Sequence, residues 1–87
     1  MNITDIILVM KTVRELDLNQ GLIMSHAEES IAIVKREDTK GIYYSINHRI
    51  DGKTQKPYND DDIMMLLLVN KERFTHKSYT TKIVNFK

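Results

Sequence analysis

Three adjacent carboxylates, Asp60, Asp61 and Asp62, form the densest group of chemically active side chains in the sequence. Carboxylates can hold a cation, but a calcium loop spaces its oxygen ligands around a turn, with a glycine and a distant glutamate. That spacing is missing. The acids stand instead before seven consecutive apolar residues, Ile63 to Val69, which Lys71 and Arg73 follow. Acids first and cations last suits a helix, whose N-terminus is partially positive and whose C-terminus is partially negative. Capping is therefore the expected role of these aspartates, and no metal or cofactor is expected.

Other reactive types give no catalytic pattern. His26, His48 and His76 lie far apart, and none has a second ligand at metal-binding spacing. Gly21, Gly41 and Gly52 are dispersed turn residues, so no phosphate cradle and no nucleophile elbow is present. Zero cysteines exclude disulfides, thiolate metal sites and cysteine nucleophiles. The expectation is a protein that is not an enzyme, with no catalytic residue and no small-molecule substrate.

Binding chemistry is better represented. Tyr43, Ser45, Asn47 and Arg49 alternate along one segment, with Lys35 or Arg36 expected beside them on a paired strand. A tyrosine among cations on a sheet can stack a base and neutralise phosphates, so Tyr43, Arg49, Lys35 and Arg36 are candidate nucleic-acid-binding residues. An ordinary solvated sheet face would look similar. The apolar run 63–69 points elsewhere. At 100° per residue it passes right round a helix, whereas a surface helix needs one apolar stripe. Ile63, Leu66 and Leu67, with Phe74, make the natural core face. Met64, Met65 and Leu68 fall outside it and are the candidate partner-binding residues, methionine being adaptable to a partner's shape.

These groups need elements to position them. Ile3, Ile6, Ile7, Met10 and Val13 recur at helical spacing behind the cap Asn2, Leu8 falls off that stripe, and Gly21 is suited to a left-handed stop. Ile42, Tyr44, Ile46, His48 and Ile50 alternate with polar residues, the signature of a half-buried strand. Asp38-Thr39-Lys40-Gly41 joins it to Ile31-Ala32-Ile33-Val34 as a hairpin. Ser25-His26-Ala27-Glu28 also matches a capping box, so a helix over 26–36 is the competing assignment; the regular partner strand favours the hairpin. Leu22-Ile23-Met24 reads as a further strand, Lys53-Thr54-Gln55 as a frayed return, residues 60–73 as the second helix and 78–86 as a closing strand. The predicted fold is α+β, one domain over residues 1–87. It has a small antiparallel sheet of three to four strands covered on one face by two helices, in the order α-β-β-β-α-β.

Size and charge are consistent with this. Eighty-seven residues suit one small domain, for which pairing with another subunit adds stability. The net charge of +1 is far from that of a dedicated duplex-DNA binder, although residues 1–34 carry −3 and 35–58 carry +3. No stretch is long and apolar enough to cross a bilayer or to read as a signal peptide, so a cytoplasmic location is expected.

The opening Met1-Asn2-Ile3-Thr4-Asp5-Ile6, together with the helix–strands–helix plan, resembles some phage-borne inhibitors of CRISPR nucleases. The resemblance covers six residues and a layout, and it implies an accessory or inhibitor protein of a phage or mobile element. Members of that group that mimic DNA are strongly acidic; this chain is nearly neutral, which speaks against a phosphate mimic. The functional expectation is a small non-catalytic protein that binds another protein, or itself as a homodimer, through Met64, Met65 and Leu68. Nucleic-acid binding is the alternative.

Overall fold

The computed structural model describes residues 2–26, 29–48, 57–69 and 80–86. In chain order the elements are α1 (Ile3–Arg14), β1 (Gln20–His26), β2 (Glu29–Asp38), β3 (Gly41–His48), α2 (Asp60–Val69) and β4 (Thr80–Asn85). The strands form one antiparallel sheet in the order β3-β2-β1-β4, the expected α+β arrangement. Residues 29–38 are strand, so the hairpin prevails over the helical alternative. As β2 is paired on both sides, its ladder satisfies backbone groups that an isolated capping box could not. The expected return at 53–55 and helical residues 70–73 lie outside the described residues.

Register decides which side chains meet the helices. Leu22 lies opposite both Ile33 and Ile83, Ile33 opposite Ile46, and Met24 opposite Ile31. Directly opposed residues share a sheet face. Leu22, Met24, Ile31, Ile33, Tyr44 and Ile46 thus form one apolar face, and with Ile6, Val9, Met10 and Val13 of α1 and Ile63 and Leu67 of α2 they make the core. Both helices are on that side.

The buried stripe of α1 is Ile6, Val9, Met10 and Val13, whereas Ile3 and Ile7 are exposed. The expected stripe is thus rotated. Val9, Val13 and buried Leu16 continue one line, and seating them turns Ile3 and Ile7 off the sheet. Asn2 caps the helix: its Oδ1 accepts from the Asp5 N–H at 2.8 Å, and Asp5 accepts from the Asn2 N–H at 3.3 Å. At the other end, the ammonium of Lys35 donates to the carbonyls of Arg14 at 2.8 Å and Leu16 at 2.9 Å. A cation there also meets the negative end of the helix dipole.

Gly21 does not stop the helix. The helix ends at Glu15, which stays in the right-handed region; Asn19, with φ of 66°, is the left-handed residue of the turn into β1, and Gly21 lies within β1. Its need for no side chain is steric. A Cβ there would lie 2.6 Å from the Phe86 ring and 2.9 Å from Cγ2 of Val34. Phe86 lies over Gly21, with Val34 beside it, on the sheet face opposite α1 and α2. Gly21→Ala should cost about 1–3 kcal/mol through overpacking, read as a lower urea midpoint at unchanged slope. Combined with Phe86→Ala it should be less than additive; full additivity would refute the contact.

Candidate partner-binding surface

The acids of α2 cap and orient it. Asn59 Oδ1 accepts from the Asp62 N–H at 2.9 Å, and Asp62 accepts from the Asn59 N–H at 3.0 Å, a reciprocal capping box. Asp60 accepts from Arg14 Nε at 3.2 Å. Both partners are about half exposed, so this pair contributes on the order of 0–1 kcal/mol; its value is positional. Among the described residues no three His, Cys, Asp or Glu side chains converge to hold a metal.

Asp60 also neighbours the phenol of Tyr44, which is only 4% exposed. Burial pushes that phenol above its ordinary 10.0, the charge and hydrogen bond of Asp60 push the same way, and Arg14 opposes them. A shallow hollow of about 390 Å³ opens here, lined by Ile42, Tyr44, Asn59, Asp60 and Asp61.

The apolar run of α2 divides three ways. Ile63 and Leu67 are fully buried, as expected. Met64, Leu66 and Leu68 are partly buried against the core. Met65 and Val69 are exposed, at 60% and 71%. With Ile63 at zero, Met64 and Leu68 lie at about 100° and 140°, on the side of Asp60 at about 60°. That flank turns to α1, because Asp60 meets Arg14. On α1, Ile3 and Ile7 share Arg14's flank, all within about 60–100° of Ile6. Ile3 and Ile7 thus lie on the flank of α1 that carries Arg14, and half-covered Met64 and Leu68 on the flank of α2 that carries Asp60. Met65 and Val69 form the crest of α2, furthest from the sheet. Of the candidate partner-binding residues, Met65 is the most available.

The candidate nucleic-acid residues are split. Arg36 lies opposite Tyr43, so these two share the sheet face opposite α1 and α2. Lys35 lies opposite Tyr44, on the helical face, where it closes the end of α1. The two-residue turn Thr39-Lys40 sets Asp38 against Gly41, and counting back along the hairpin pairs Arg36 with Tyr43; the sequence held that signal. Arg36 donates to Asn19 Oδ1 at 2.8 Å. Arg49 lies outside the described residues, as do Phe74 and His76.

Sequence reasoning missed a second apolar strip. Leu8 and Ile83 are exposed at 57% and 52%, and with Val9 and Leu22 they line a groove of about 540 Å³ between α1 and β4, rimmed by Asp5, Thr12, Thr81 and Lys82. Leu8's position off the buried stripe was its only mark in the sequence. No helix among the described residues is long and apolar enough to cross a membrane. No protein-family model, curated protein or solved structure matches the chain.

Tyr44 supplies a pH test. Because its folded value is raised, the neutral phenol favours folding; that stability is full below about pH 10 and is lost as pH rises through the folded value. Urea midpoints of the wild-type chain should fall at alkaline pH more than those of Tyr44→Phe. Parallel curves would show that the buried phenol is not what titrates.

Proposed function

We propose that this chain is a small non-catalytic protein that works by binding another protein through the outer surface of its two helices. The observation that carries this is the exposed crest of Met65 and Val69 on α2, together with the exposed Ile3 and Ile7 on α1. Each helix thus leaves large apolar side chains exposed, and an exposed apolar patch on a small domain marks an interaction surface. Burying one such side chain contributes roughly 1.5–3 kcal/mol, and a few central residues usually carry most binding energy. Occluding a larger protein is a role such a surface suits, in keeping with the resemblance of the opening residues to phage-borne inhibitors.

Met65→Asp and Val69→Asp are expected to abolish retention of the partner in affinity purification from the native host. Their unfolding free energies in urea should stay within about 0.5 kcal/mol of wild type, as for exposed sites. Identical retention by both variants would place the interface elsewhere.

Nucleic acid is the second reading, favoured by Arg36 and Tyr43 sharing the sheet face opposite α1 and α2. It predicts binding of single-stranded oligonucleotides that weakens steeply with salt and drops on Tyr43→Ala. No shift of any oligonucleotide at low salt would remove it.

A further inference from the structure

The two edges of the sheet are finished differently. At β3, Tyr44 exchanges both backbone hydrogen bonds with Tyr58, at 2.8 and 2.9 Å, so the segment leading into α2 closes that edge. At β4, β1 is the only neighbour among the described residues. The Phe86 N–H donates to the Asn19 carbonyl at 2.6 Å. Hydrogen-bonded positions alternate along an antiparallel pair. Val84, Lys82 and Thr80 therefore bond β1, while Asn85, Ile83 and Thr81 turn their N–H and C=O groups outward. The same alternation carried across the sheet turns Tyr44 outward at β3, where its bonds to Tyr58 are found.

We propose that a second copy of this chain pairs antiparallel along β4, about a two-fold axis at Ile83. The outward groups are self-complementary in that register. Ile83 faces Ile83 of the second copy, Thr81 faces Asn85, and each of the three outward residues exchanges both of its bonds. Lys82 then lies opposite Val84. Sliding the axis to Lys82 would bring two ammonium groups face to face at the closer, non-hydrogen-bonded spacing, where like charges repel. Lysine is a common guard against edge pairing; here it selects one register.

Side chains favour a second copy over a foreign strand. Ile83 and Leu8 lie on the helical side of this edge, each more than half exposed. The two-fold axis sets two such strips side by side between two copies of α1, so each supplies the other's apolar cover. Four of the six residues of β4 are Thr, Ile or Val, which suit a paired strand. The contact is isologous and closes on itself as a dimer with one continuous eight-stranded sheet.

Light scattering across a concentration series tests this on the full chain. The wild-type protein should have twice the monomer mass. Ile83→Lys, at an exposed position, should return it to the monomer mass with an unchanged circular dichroism spectrum. Because the chain lacks cysteine, Ile83→Cys gives a single thiol. It should oxidise to a covalent dimer, while Ile42→Cys, equally exposed at the other edge, should not. If Ile83→Lys fails to fold, the cysteine pair decides alone. A wild-type monomer at the highest soluble concentration overturns the proposal, whether or not β4 takes up a foreign extended segment. So does equal oxidation of the two thiols. A dimer that survives Ile83→Lys but dissociates on Met65→Asp overturns it too, and places self-association on the helices.

Discussion

One row of side chains, Ile46, Ile33, Leu22 and Ile83 in successive strands, fixes the place of everything else. Strand side chains alternate with a period of two, so a slip of one residue would exchange the two faces of the sheet. Gly21, Val34 and Ser45 would then lie beneath the helices and the core would be lost. With the row in place, Lys35 falls at the C-terminal end of α1, Tyr44 falls beneath Asp60, and Gly21 lies on the opposite face under Phe86. The backbone groups of Ile83 point off the edge for the same reason.

Two short helices can cover only one face of four strands, and this chain uses them unevenly. The described polar contacts tie α1 to the sheet at the Lys35 end and tie α2 to α1 at the Arg14 end. Over β4 there is no helix among the described residues, and Ile83 is left half open although it belongs to the core row. The opposite face has its own small cluster, where Phe86 lies on Gly21 and Val34 is 5% exposed. The last strand thus leads into an aromatic ring that packs on one side of the sheet, while no described helix covers its other side.

What could be read in the sequence was whatever depends on near neighbours. The alternation from Ile42 to His48 announced β3, and the acids before the apolar run announced the start of α2. Setting Ile63 and Leu67 on one side of that helix gave its buried face. What failed needed contacts between distant segments. Nothing local distinguishes Ile7 from Val9 as the buried residue of α1; the sheet chooses, by accepting the line that continues through Leu16. Gly21 looked like a helix stop because glycine tolerates positive φ, but Asn19 also tolerates it. The reason for Gly21 lies sixty-five residues further on, at Phe86.

The apolar surplus of α2 has a similar history. Seven apolar residues in a row exceed what one stripe requires, yet Met64, Leu66 and Leu68 are half used, because α2 packs against α1 as well as against the sheet. What remains is a crest of two residues and the flank turned to α1, a surface that exists only once both helices pack on the shared core. The α1–β4 groove likewise exists only once Leu22 and Ile83 are neighbours. Neither surface belongs to a single element, and each lies beside a feature with another structural task, the capped start of α2 in one case and the outer sheet edge in the other. A helical surface offers side chains alone, so its partner is chosen by shape and apolarity. A strand edge offers backbone groups first, so its partner must be another strand. The two surfaces therefore make different demands on whatever covers them.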